Sequence, residues 1–214
     1  MINTVAVLDY GSSNLRSVVK ALEYVATEKH RIILTAEPEL ILAADRIVFP
    51  GQGAIRQCMD SVRNTGLMET LLECIRNKPF LGICLGLQCL MEDSDEDGGT
   101  NALGIVPGRV LRFSDGIRDE NGRNFKIPHM GWNNISIARD HPLWKNIDQG
   151  SRFYFVHSYY VKPDREEDIS ATTEYTVEFT SAIARDNIFA VQFHPEKSQQ
   201  AGLTLLRNFL DWNQ

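Results

Sequence analysis

Three observations predict an α/β fold for this chain, a three-layer arrangement with a mostly parallel central sheet, helices on both of its faces and a small antiparallel sheet. Apolar strands alternate with amphipathic helices through the first half. Those strands are apolar throughout rather than at every second residue, as strands covered on both faces are. The second half carries strand after strand instead, which reads as a meander.

Val5-Ala6-Val7-Leu8-Asp9 is the first strand, and Gly11-Ser12-Ser13-Asn14 turns it into a helix whose Leu15, Val18, Val19 and Leu22 recur at helical spacing. Residues 31–34 form a second strand, 38–44 a short helix and 46–49 a third strand. Pro50-Gly51-Gln52-Gly53 then turns the chain ahead of a helical region over 55–76. Pro79-Phe80-Leu81 opens the fourth strand, and 85–91 starts a helix. This order demands right-handed crossovers between parallel strands.

Further on, residues 93–100, rich in acid and glycine, are a candidate mobile loop. Strands follow at 104–113 and 135–137, with a polar loop over 115–125 between them. Residues 152–161 read as one long aromatic strand, 169–173 and 181–185 as shorter ones, and 188–193 as the last. The chain closes on an amphipathic helix over 198–212 with Leu203, Leu206 and Leu210 on one face. Without repeats or a linker, residues 1–214 are expected to form a single domain.

With 43% hydrophobic and 23% charged residues, 214 residues suffice for one large core, burying roughly 70% of the unfolded surface. A net charge of -6 without a Lys/Arg cluster excludes a dedicated nucleic-acid binder. Cys58, Cys74, Cys84 and Cys89 have neither CxxC spacing nor the density of a disulfide scaffold, so a reducing cytoplasm is the expected setting. A strand beginning beside Met1 leaves no room for a signal peptide, and no run approaches the ~20 apolar residues that span a bilayer. Cys58, Cys74 and Cys89 read as packing residues, as do Trp144 and Trp212.

Gly82-Ile83-Cys84-Leu85-Gly86 places a cysteine at a strand-to-helix corner, the cysteine counterpart of a nucleophile elbow. A helix N-terminus there favours a reactive sulfur. By itself the pentapeptide also describes a buried structural cysteine, the commoner case. In Val191-Gln192-Phe193-His194-Pro195-Glu196 a histidine and a carboxylate sit two apart after an apolar strand. Extended residues i and i+2 point the same way, and Pro195 keeps His194 extended. HPE alone also describes a surface turn. Taken together, the two segments supply a nucleophile, a base and an orienter at the carboxyl ends of strands, where open α/β sheets concentrate function.

PGQGA, GICLGLQ and VQFHPE, in that order, resemble the three motif blocks of the class I (triad) glutamine amidotransferases, across nearly the whole chain. DYGSSNLRSV, PHMGWN, YFVHSYY and HPEKS resemble the glutaminase subunits of imidazole glycerol phosphate synthase within that family. The resemblance implies a flavodoxin-like sheet and a catalytic Cys84, His194 and Glu196 acting on L-glutamine. It implies an oxyanion hole from the backbone of Gly51, Gln52 and Leu85, and substrate contacts from Gly51, Gly53, Gln88, Glu96, Ser158 and Tyr159. Asn14, Trp132, His157 and Lys197, with His129, are expected to face a partner or support the site. That partner is implied to be a cyclase with a (β/α)8 barrel, joined in a heterodimer and fed ammonia through a channel. Neither metal nor organic cofactor is expected.

Gln52 departs from the PGVG usual in the family, and Gly11-Ser12-Ser13-Asn14 departs where a second glycine is frequent. Three other readings stand beside the first: the glutaminase of an anthranilate or aminodeoxychorismate synthase, a free-standing cysteine hydrolase of γ-glutamyl compounds, and a degenerate binding module.

Overall fold

The computed structural model describes residues 2–12, 15–118, 122 and 124–213. Its first half runs β1 (Asn3–Leu8), α1 (Leu15–Val25), β2 (His30–Thr35), α2 (Pro38–Ala43), β3 (Arg46–Gly51), α3 (Ile55–Asn64), α4 (Met68–Asn77), β4 (Phe80–Cys84) and the short α5 (Leu85–Gln88). Next come β5 (Asp93–Ser94), β6 (Thr100–Asn101), β7 (Gly108–Arg112), β8 (His129–Asn134), β9 (Ser136–Ile137), β10 (Arg152–His157) and β11 (Tyr159–Pro163). β12 (Ile169–Glu174), β13 (Glu178–Arg185), β14 (Ile188–Val191) and α6 (Gln199–Asp211) complete the chain.

β2, β1, β3 and β4 lie side by side in parallel, and β14 joins β4 in parallel from the far end of the sequence. The predicted parallel core is therefore present. β13, β11 and β7 carry the same sheet onward in antiparallel sense, and only β8 and β10 form a separate two-stranded sheet.

The strands are apolar throughout because each face meets helices. Val5 and Val7 of β1 pack toward Val18 and Leu22 of α1 and Leu206 and Phe209 of α6. Ala6 and Leu8 point the other way, toward Ile41 of α2, Met59 and Val62 of α3 and Leu71 and Ile75 of α4. Phe49, Phe80 and Phe189 are fully buried in these two layers, each side chain contributing about 1.5–3 kcal/mol.

Several elements differ from the sequence-based expectation. The helical region over 55–76 breaks into α3 and α4, where Thr65 Oγ1 donates to the Ser61 carbonyl at 2.8 Å and Leu67 N–H reaches the Val62 carbonyl at 3.1 Å. An unbroken helix there would run about 33 Å against about 20 Å for a six-residue strand, so it would overrun the sheet it covers. Residues 152–161 split at Ser158, with β10 pairing β8 and β11 pairing β7. The expected strand over 104–113 is confined to β7, and β8 was not foreseen, since His-Met-Gly-Trp-Asn-Asn lacks apolar alternation. On α6 the buried face is Gly202, Leu205, Leu206, Phe209 and Leu210, with Leu203 only half-buried. The turn at 11–14 and the loop over 115–125 fall partly outside the described residues. Among the described residues no helix is long and apolar enough to cross a membrane.

Candidate active site

β4 ends on Cys84, whose backbone sits at φ 55° and ψ -105°, and α5 begins at the next residue. A side chain with a Cβ adopts positive φ only under strain, and such strain persists where the surroundings impose it. Here β3 and β14 flank β4 on both sides. A Cβ on Gly86 would overlap the Phe49 carbonyl oxygen of β3, so glycine is what lets the corner close onto that strand.

His194 reaches the same end of the sheet because β14 runs parallel to β4 in a register that pairs Val191 with Ile83. Its Nδ1 lies 2.9 Å from Glu196 Oε1, and both side chains are almost wholly buried. His194 is extended as expected, but Glu196 belongs to a short 3-10 turn, Pro195–Lys197. The main chain of His194 is pinned to β10. Its N–H donates to the Tyr154 carbonyl at 2.9 Å, while Ser198 Oγ donates to the His194 carbonyl at 2.6 Å and accepts the Tyr154 N–H at 3.0 Å.

Burial by itself would lower the His194 pKa; the Cys84 sulfur and the Glu196 carboxylate outweigh it and push the imidazole up to about 10. The carboxylate on Nδ1 fixes the tautomer. Nε2 is buried and makes no hydrogen bond among the described residues.

A cavity of about 320 Å³ opens over this corner. Cys84, Leu85, Gln88 and His194 line one side, Gln52 and Gly53 a second, and Val156, His157, Ser158 and Tyr159 a third, with Glu96 and Pro128 completing the wall. Glu96 Oε2 accepts the Ile55 N–H at 2.7 Å, capping α3, and burial raises its pKa. Arg56 donates to the carbonyls of Asp97 and Gly99, and Arg109 pairs with Asp93 and Asp95. The expected mobile loop over 93–100 is thus fastened from two sides.

Gln88 Nε2 donates both to the Tyr159 carbonyl and to Gln192 Oε1, each at 3.1 Å. Its two amide hydrogens are committed, which leaves its carbonyl oxygen, an acceptor, to offer a ligand. His157, expected to face a partner or support the site, is buried and lines the cavity. Its Nδ1–H donates to the Tyr159 carbonyl at 2.8 Å, and its Nε2 accepts from His129 Nδ1 at 2.9 Å. Phe113, Phe155 and Phe179 surround the pair. Burial pulls His157 down to about 3 and His129 to about 4.

Gly51 does not line the cavity; it lies behind it, in a crevice shared with His194 and Glu196. Trp132 is partly exposed and meets the Tyr154 ring edge-on at 6.1 Å, and Lys197 Nζ stands 6.0 Å from the centre of the same ring. Asn14 lies outside the described residues. Sequence reasoning missed Gln192 and Ser198. A glutamine inside an otherwise apolar strand was the available signal for the first; the second gave none.

Residues 6–212 match the class-I glutamine amidotransferase family. The chain belongs to this family. Among its relatives, imidazole glycerol phosphate synthase subunit HisH of Nitrosomonas europaea is 56% identical over 211 residues, covering 98% of this chain and 99% of the relative. The same subunit from Nitrosococcus oceani is 56% identical over 211 residues, covering 99% and 98%. Among solved structures, a chain of PurLQS from Thermotoga maritima superposes with a TM-score of 0.70 at 16% identity, covering 99% of this chain and 99% of that one. The Trypanosoma brucei CTPS glutaminase domain, with bound acivicin, gives 0.64 at 19%, covering 99% and 95%. At such identities the two structures establish the fold. Among the described residues of this amidotransferase, no cluster of three or more His, Cys, Asp or Glu is arranged to hold a metal ion.

Proposed function

We propose that this amidotransferase is the glutaminase subunit of an imidazole glycerol phosphate synthase, hydrolysing L-glutamine on Cys84 and passing the ammonia to a cyclase chain. One observation carries the chemistry: Cys84 at the end of β4 and His194, backed by Glu196 after β14, face one cavity of amino-acid size. Near full-length identity to synthase subunits supports the partner.

In this reading the Cys84 sulfur attacks the side-chain amide carbon of glutamine, forming a C–S bond and an oxyanion. The Leu85 N–H and a backbone N–H from Gly51 or Gln52 stabilise that oxygen. The C–N bond breaks as the imidazolium of His194 gives its proton to the departing ammonia. His194, now neutral, takes a proton from water, whose oxygen attacks the glutamyl thioester. The C–S bond breaks, glutamate leaves, and the sulfur and the imidazole again share one proton, the one taken from water. A His194 pKa near 10 suits the first proton transfer at neutral pH. Gln88, Glu96 and the Ser158-Tyr159 backbone supply the polar contacts to the amino-acid end of the substrate.

Ammonia released into neutral water becomes ammonium, so a partner must take it directly. The reading assigns that role to a (β/α)8-barrel cyclase, in a heterodimer, making imidazole glycerol phosphate and aminoimidazole carboxamide ribonucleotide. Trp132, Tyr154 and Lys197 form the candidate docking face.

The test is glutamate release from glutamine, measured with and without the cyclase chain and its nucleotide ligand. Strong stimulation by the pair, abolished by Cys84→Ala, is the expected result. Hydrolysis of γ-glutamyl peptides with indifference to the partner would replace this reading with that of a free-standing hydrolase.

A further inference from the structure

Gln192 is wholly buried directly after β14, in the same segment as His194, yet it points its polar atoms at the nucleophile rather than at water. Its Nε2 donates to Cys84 Sγ at 3.7 Å, and its Oε1 accepts from Gln88 Nε2 at 3.1 Å. Backbone chemistry fixes the direction of this chain. The Tyr159 carbonyl can only accept, so the Gln88 atom beside it must be nitrogen. That same nitrogen meets Gln192, whose facing atom must then be oxygen. The amide NH2 of Gln192 is thereby turned toward the sulfur.

We propose that Gln192 is a positioning residue for the glutaminase reaction: one amide donates to the Cys84 sulfur and, through its oxygen, holds Gln88 against the β11 wall of the cavity. The inference rests on Cys84 being the nucleophile. A donor at the sulfur stabilises its anionic form. The acceptor end fixes Gln88, so that nucleophile and binding wall are set by one side chain. The other titratable groups around the sulfur are His194 after β14, Cys89 after α5, and Glu96, His157 and Tyr159 across the cavity. All stay unchanged in the variants below.

Two substitutions separate the two ends. Gln192→Glu keeps an acceptor for Gln88 but replaces the donor by an anion. Gln192→Leu removes both. In each, iodoacetamide labelling of the Cys84 peptide is followed by mass spectrometry across pH, with calorimetric melting and steady-state kinetics of the complex. For Gln192→Glu the alkylation profile should move, with labelling on the order of tenfold slower at neutral pH, because an anion replaces the donor at the sulfur. Its kcat should fall on the order of tenfold to a hundredfold with KM within about threefold. Gln192→Leu should lower kcat and also raise KM, because Gln88 is released. A structural role alone would lower the melting temperature of both variants and leave the alkylation profile in place. Unmoved profiles in both variants overturn the proposal, as does an unchanged KM in Gln192→Leu. Labelling needs no glutamine, so a wild-type chain that released no glutamate would defeat the proposed function while leaving this comparison intact.

Discussion

Ser198 Oγ donates to the main-chain carbonyl of His194 at 2.6 Å and, from the same atom, accepts the amide of Tyr154 at 3.0 Å. One buried hydroxyl thus ties the segment carrying His194 to the small sheet. Ser198→Ala leaves the part-buried Tyr154 amide without this partner and the His194 carbonyl with only the Lys197 N–H at 3.0 Å, at a cost of about 1–3 kcal/mol. Urea unfolding should show that loss, and kcat should fall about tenfold with KM little changed as the imidazole loses its fixed position.

Gly202 on α6 lies against the Pro195 carbonyl, and a Cβ there would overlap that oxygen and stand 2.8 Å from Ser198 Cβ. On an exposed helix, Gly→Ala stabilises by about 1 kcal/mol. At this position Gly202→Ala is expected to destabilise by about 1–3 kcal/mol through overpacking. It should also impair glutaminase turnover, because the displaced turn carries Glu196. A melting temperature at or above wild type would refute the crowding.

The His194 pKa stands at about 10 against an ordinary 6.5. A group raised in the folded state contributes stability that is complete below 6.5 and is lost as pH rises through about 10. Cys84→Ala removes a leading cause of the upward shift. The stability difference between wild type and that variant should therefore shrink as pH climbs from about 6.5 to about 10, measured by urea unfolding at each pH. Wild-type kcat should decline over the upper part of that window as His194 loses the proton that the proposed mechanism passes to ammonia.

His157 and His129 are held neutral, at about 3 and about 4, by burial. Unfolded, both would take up protons near 6.5, so native stability is complete above that value and falls as pH drops toward 4. His157→Gln should flatten this acid limb of the unfolding curve relative to wild type. His141, also lowered to about 4 by burial, leaves a residual slope.

Gln52 lines the cavity beside Gly53, and the role proposed for it is a backbone one. Gln52→Val is expected to leave partner-stimulated glutamate release within about threefold of wild type, since a backbone donor survives a side-chain change. A loss comparable to that of Cys84→Ala would make the side chain itself part of the chemistry.

The local devices were legible in the chain. The corner at Cys84 could be read because small residues around a nucleophile have a steric meaning within a few residues, and Gly86 against Phe49 supplies it. His194 and Glu196 could be paired because their contact spans two residues. Gln192, Ser198 and the buried His129–His157 pair could not be read, since each acts through a partner on another strand. The break at Ser158 was hidden for a related reason: a uniformly aromatic run gives no sign of which sheet each half will join.

By itself, then, the sequence determined the alternation of strands and helices, the two-faced burial of the parallel strands and the residue types proposed as nucleophile, base and orienter. Periodicity and short-range sterics suffice for those. The tertiary structure alone decided that β14 lies beside β4, bringing His194 to Cys84, that Glu96 caps α3 and so shapes the cavity wall, and that Gln192 aims its amide at the sulfur. Such choices rest on hydrogen bonds and packing between segments far apart in the chain, and a backbone N–H or a buried amide carries no mark in the sequence of the partner it will find.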